Sequence, residues 1–138
     1  MAEGLLRARF AEAGLAIGVD SAGTGGWHIG DPPDPRTIET ARRNGIDISA
    51  FRARRLSLED YQHFDLILAM DTRNVSDALA LRPKSARAGV HLFLDYAAGQ
   101  GADVPDPYYG GADQFQIMFD ILDGAAGQLV RRLQAASG

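Results

Sequence analysis

Residues Phe64 to Met70 read Phe-Asp-Leu-Ile-Leu-Ala-Met, a near-continuous apolar run with one polar interruption. Such a run predicts a strand buried on both faces, the kind found inside a parallel sheet rather than at the edge of an open one. What surrounds it supports this. Asp71 is placed to cap a helix running to about Leu81, Pro83 ends that region, and Val90 to Asp95 predicts a second apolar strand. Upstream, Ala16 to Ser21 predicts a third short strand. Strands alternating with helices imply one α/β domain, a parallel sheet wrapped by helices in three layers.

The predicted helices carry their own punctuation. Met1 to Ala13 has Leu5, Leu6, Phe10 and Ala13 near helical spacing and Gly14 as a stop, but no capping residue precedes it. Pro35 opens a helix to about Asn44, ended by Gly45. Ser57-Leu58-Glu59-Asp60 resembles a capping box at the start of a short helix. Asp113 to Leu133 predicts a last helix with Phe115, Met118, Phe119, Leu122, Leu129 and Leu133 on its apolar face, weakened locally by Gly124 and Gly127.

Two loops stand out. In a parallel sheet, ligands sit beyond the C-terminal ends of the strands. The Gly/Pro-rich loop Ala22–Pro35 follows the Ala16–Ser21 strand, and the loop around Asp106 follows the Val90–Asp95 strand, so both are expected at one rim. The second loop reads Val104-Pro105-Asp106-Pro107-Tyr108-Tyr109-Gly110-Gly111. Two prolines leave Asp106 few conformations, and a carboxyl held beside aromatic rings suits proton delivery to a leaving group. A Pro/Gly surface turn with locally packed rings accounts for the same residues. On the first loop Trp27 either plugs a hydrophobic gap or stacks on a ligand, and His28 reads as a solvated loop residue. Arg52, Arg54 and Arg55 read mainly as a solvated basic segment.

Composition narrows the chemistry. At 138 residues the chain makes one domain, residues 1–138, without repeats or linkers. A net charge of −4 and the absence of a Lys/Arg run argue against a nucleic-acid binder. No apolar run approaches the roughly 18 residues that span a membrane, and no signal peptide is recognisable, so a cytoplasmic location is expected. There is no cysteine, which excludes disulfides, thiolate metal sites and a cysteine nucleophile within these residues.

Asp20-Ser21-Ala22-Gly23-Thr24, Gly30-Asp31-Pro32-Pro33-Asp34, Ala69-Met70-Asp71 and Asp106-Pro107-Tyr108-Tyr109-Gly110 together resemble the low-molecular-weight protein tyrosine phosphatase family, in its order and at its spacing. Met1-Ala2-Glu3 is similar to the stretch that follows the family's phosphate loop. The resemblance implies a sheet of strand order 2-1-3-4. It implies Asp106 as general acid and base, Trp27, Tyr108 and Tyr109 as aromatic walls of a phosphotyrosine or aryl phosphate pocket, and Ser21 as a brace of the phosphate loop. No metal or cofactor is called for. Phe51 lies near where many relatives carry a bracing histidine.

The departure is at the start. The family's first strand and its Cys-x-x-x-x-x-Arg-Ser-Pro loop precede the position held here by Met1, so the nucleophile and the phosphate-clamping arginine are expected to be missing. The chain alone is then expected to fold poorly or rearrange, by direct pairing of Ala16–Ser21 with Phe64–Met70 or by self-association through unpaired sheet edges, and to turn over no aryl phosphate. The readings to be weighed are a shortened tyrosine phosphatase, a non-catalytic phosphatase-like binding module, and an arsenate reductase, whose chemistry needs several cysteines.

Overall fold

The strand expected at Phe64–Met70 forms as β1, Leu66–Ala69, and pairs in parallel with β2, Gly89–Leu92. Register runs from Leu66 opposite Gly89 to Ala69 opposite Leu92. The computed structural model describes residues 1–25, 29–105 and 110–137. In it the helices are α1 (Ala2–Glu12), α2 (Pro35–Arg43), α3 (Asp60–His63), α4 (Thr72–Leu81), α5 (Phe93–Ala98) and α6 (Ala112–Ser137). No helix among the described residues is long and apolar enough to cross a membrane.

The core lies between α1, α5 and α6. Leu5, Leu6 and Phe10 of α1, Phe93 and Leu94 of α5, and Phe119, Leu122 and Leu129 of α6 belong to one buried cluster. The α4 helix rests on both strands, and its buried Ala78 lies outside that cluster beside Tyr61, whose hydroxyl donates to the Ala78 carbonyl at 2.6 Å. Helices therefore cover the sheet in the α/β manner expected.

Caps behave as the sequence indicates. Asp34 accepts from the Arg36 N–H at 2.8 Å with Pro35 at the first helical position, and Asp71 accepts from the Asn74 N–H at 2.7 Å. The capping box at Ser57 closes by one half: Asp60 accepts from the Ser57 N–H at 2.8 Å.

Three expectations need correction. Ala16 to Ser21 is extended chain without a strand partner, and it is mostly exposed, with Ile17 at 41%. A strand exists through its ladder, and among the described residues β1 pairs only with β2, so the expected order 2-1-3-4 reduces to one pair. Direct pairing of this segment with β1 is not seen either. For the same reason Leu66, Ile67 and Leu68 are half-buried rather than buried. Secondly, Val90–Asp95 divides. Strand β2 stops at Leu92 because Phe93, Leu94 and Ala97 bury one helical face, and Gly99 at φ 67° closes that short helix. Thirdly, α6 starts before Asp113 and runs to Ser137, through both glycines. Buried Ala125, Ala126 and Leu129 hold it there, tertiary packing overriding propensity.

Two glycines give opposite predictions. A Cβ on Gly4 of α1 would stand 2.6 Å from Cγ2 of Ile48 and 3.2 Å from Cγ2 of Ile46, whose β-branched side chains are stiff. Gly124 of α6 has nothing within 4 Å of such a Cβ. Gly124→Ala should raise stability by about 0.5–1 kcal/mol through reduced backbone entropy. Gly4→Ala should lose about 1 kcal/mol or more, overpacking outweighing the same helical gain. Opposite displacements of the urea midpoint check this pair.

Candidate functional site

Without a ladder, the stretch ending at Ser21 is held by side chains. The Arg7 guanidinium donates to the Val19 carbonyl through Nη2 at 2.8 Å and Nε at 3.2 Å. The Ser21 hydroxyl donates to Oε1 of Glu3 at 2.5 Å, and Arg7 Nη2 meets Oε2 of the same carboxylate at 2.8 Å. Glu3, on the first turn of α1, is buried to 8% exposure. Ser21 thus ties the start of the first loop to the start of α1. Burial lowers the pKa of the Met1 amine, and the charge of Glu3 opposes this.

The loop after Ser21 is pinned on both sides of Trp27. The Gly23 N–H donates to the Arg54 carbonyl at 2.9 Å and the Leu56 N–H to the Gly23 carbonyl at 2.8 Å. Beyond the tryptophan, the Gly30 N–H donates to the Ala53 carbonyl and the Ala53 N–H to the Asp31 carbonyl, each at 2.8 Å. The strip 53–56 that receives these bonds is fixed by Arg54. Its Nη1 and Nη2 each reach one oxygen of Asp60 at 2.9 Å, and its Nε reaches Asp20 at 3.2 Å. Burial alone would raise the Asp60 carboxyl. The hydrogen bonds from Arg54 and Ser57, with the arginine's charge, prevail and hold it below its ordinary value.

The second loop follows α5 and is anchored beside the C-terminal end of β1. The Val104 N–H donates to the Met70 carbonyl at 2.7 Å, and Val104 is buried. Asp103 accepts from the Thr72 N–H at 2.9 Å and from the Thr72 hydroxyl at 2.7 Å. The first turn of α4 therefore carries this loop's anchor. It also borders the other loop: Asn74 of α4 lines an open cleft of about 440 Å³ with Ser21, Gly23, Thr24, Ile29 and Arg54.

Of the residues expected at the site, Ser21 is described and lines this cleft. Trp27, His28, Asp106, Tyr108 and Tyr109 lie outside the described residues. The upstream anchor of the second loop is on the first turn of α4, which the first loop faces across the cleft. Phe51 packs beside α1, with the Arg7 guanidinium 5.6 Å from its ring centre. Glu3, Asp103 and Asn74 were not singled out from the sequence, and Arg54 and Asp60 were read only as charge and cap. The sole sequence signal among these was the likeness of Met1-Ala2-Glu3 to the family's helix start.

Similarity to known proteins extends over nearly the whole chain. A model of the family described as low molecular weight phosphotyrosine protein phosphatase matches residues 1–137. A low molecular weight phosphotyrosine protein phosphatase of Schizosaccharomyces pombe is 45% identical over 119 residues, 83% of this chain and 76% of that one. The low molecular weight protein-tyrosine-phosphatase YfkJ of Bacillus subtilis is 39% identical over 137 residues, 97% of this chain and 86% of that one. Among solved structures, a protein tyrosine phosphatase from Entamoeba histolytica with Hepes in the active site superposes with a TM-score of 0.89 at 28% identity, over 99% of this chain and 89% of that one. The crystal structure of YfkJ gives 0.83 at 36% identity, over 99% and 87%.

The Arg54–Asp60 fork sets a pH dependence. A carboxyl whose folded pKa lies below its unfolded value, about 3.9, contributes stability that is complete above that value and lost as pH falls through the folded one. Asp60→Asn should therefore cost about 2 kcal/mol at pH 7, and the deficit should shrink as pH drops below about 4. Thermal melts of both proteins across this range measure it.

Proposed function

The chain belongs to the low molecular weight phosphotyrosine protein phosphatase family, and from that premise we propose that its cleft receives the ring of an aryl phosphate monoester, phosphotyrosine in a protein foremost. The anchoring of the second loop on the first turn of α4, which faces the first loop across one cleft, carries the reading. It supports a proton donor and aromatic walls arriving from two sides of one opening.

In this reading Asp106 protonates the departing phenol oxygen and then helps activate water. Trp27 and Tyr108 flank the substrate ring, with Tyr109 beside them. Ser21, through Glu3, steadies the start of α1, and a helix N-terminus favours an anion such as the phosphate. The family resemblance supplies the rest as a thiolate and an arginine. The thiolate attacks phosphorus, the P–O bond to the phenol breaks as Asp106 gives its proton, and water later cleaves the S–P bond. The arginine forks two phosphate oxygens.

The thiolate is not available in these 138 residues, because they contain no cysteine. We therefore assign turnover to a form carrying Cys-x-x-x-x-x-Arg-Ser-Pro ahead of Met1, and to the 138 residues alone a binding role. The absence of cysteine is also the observation that favours a non-catalytic phosphatase-like module as the second reading. Codons upstream of Met1 separate the two.

Purified residues 1–138 should hydrolyse no p-nitrophenyl phosphate. With the cysteine loop present, Asp106→Ala should slow formation of the phospho-enzyme by roughly 10²–10⁴-fold in a rapid-quench measurement. A near-unchanged rate would remove Asp106 from the mechanism.

A further inference from the structure

A second opening continues from the first. It shares Thr24, Gly25 and Asn74 with it and extends along α4, with a volume of about 630 Å³. Two arginines line it, Arg55 from the strip that holds the first loop and Arg73 from the first turn of α4. Neither makes an ion pair or a side-chain hydrogen bond among the described residues, and both are exposed.

Many other arginines on this surface are committed to carboxylates, and Arg52 and Arg82 donate to backbone carbonyls. Arg7 meets Glu3, Arg42 and Arg43 meet Glu39, and Arg87 meets Asp65. Arg54, the immediate neighbour of Arg55, is held by Asp60 and Asp20. A chain of net charge −4 has carboxylates in excess, yet none is drawn to this pair. The one acid in the opening, Asp77, accepts from the Thr24 hydroxyl at 3.3 Å. The lining thus presents two cations against one carboxylate, beside the cleft proposed for the phosphorylated ring.

We propose that the opening lined by Arg55 and Arg73 takes acidic side chains of the substrate polypeptide close in sequence to the phosphotyrosine, so that acidic phosphotyrosine segments are the preferred substrate class. The inference rests on the phosphotyrosine reading for which residue enters the neighbouring cleft. Its own content is the charge preference. An extended peptide advances about 3.3 Å per residue, so a contiguous opening is reached within a few residues of the ring. The volume falls in the usual range for a ligand site, about 300–1,000 Å³. Guanidinium groups suit carboxylates by their forked geometry. Exposed pairs of this kind are individually weak, so two of them give a preference on the order of 3- to 10-fold, reduced by salt.

The test uses residues 1–138 and four synthetic peptides: tyrosine or phosphotyrosine, flanked on both sides by glutamates or by glutamines. Binding is followed at low salt through the backbone amide signals of Thr24, Gly25 and Asn74. Glutamate peptides should bind about 3- to 10-fold more tightly than glutamine peptides. The difference should vanish in Arg55→Gln/Arg73→Gln, both exposed positions, with the amide spectrum otherwise preserved. Equal binding of glutamate and glutamine peptides, or a preference that survives the double substitution, overturns the proposal while leaving the phosphotyrosine reading intact. A glutamate preference that depends on both arginines but ignores phosphorylation supports the charge site and counts against the phosphotyrosine reading. As a second measurement, kcat/KM of the cysteine-bearing form on the two phosphopeptides should differ by the same factor and level in the double variant. Equal values there overturn the proposal as well.

Discussion

The guanidinium of Arg54 is the point on which the site's architecture hangs. It grips both oxygens of Asp60 and reaches Asp20, so it joins the start of α3, the strip 53–56 and the end of the unpaired segment. Backbone bonds from that strip then hold the first loop on both sides of Trp27. In a complete ladder each residue of a strand is positioned by its neighbours. Here a few side chains substitute for that ladder: Arg54 at one end, Arg7 on the Val19 carbonyl, and Ser21 on Glu3. Charge-assisted bonds are the stronger sort, about 1.5–3 kcal/mol each. They are also few, so losing one releases a whole segment rather than a single residue.

What the sequence disclosed and what it hid divide along one physical line. Features written in a few adjacent residues were legible: Asp34 before Pro35, Asp71 before α4, and the turns at Gly14 and Gly45, with φ of 71° and 82°. The order of elements and their α/β character were legible too, because periodicity and length are local properties. The strand expected at Ala16–Ser21 was not, because its state depends on a partner distant in sequence. Nor was the change from β2 to α5 at Phe93, which is decided by what α6 offers as a packing surface.

The same division runs through the site. The two loops announced themselves by their prolines, glycines and aromatics. Their supports did not: nothing near Asp103 in sequence says that it will accept two bonds from Thr72, 31 residues earlier. Arg54 sat among arginines that look alike on paper. Structure sorts them, since Arg54 is locked by two acids, Arg52 donates to nearby carbonyls, and Arg55 is left facing an opening.

The cleft's hydroxyls bear on whether some other residue replaces a sulfur nucleophile. Ser21 lines the cleft and has a carboxylate partner, an arrangement that superficially suits an activated serine. Its partner is not free to act as a base in that sense. Glu3 is buried, its second oxygen is taken by Arg7, and its negative charge is thereby balanced by a guanidinium. A base that activates a hydroxyl must take up its proton as the bond to substrate forms, and both Glu3 oxygens are already engaged, one by Ser21 and one by Arg7. Arg7 also carries the Val19 carbonyl, so moving Glu3 would loosen the segment that positions Ser21. Thr24 is likewise engaged with Asp77. The geometry therefore ties Ser21 to the start of α1 and leaves both cleft hydroxyls engaged with carboxylates.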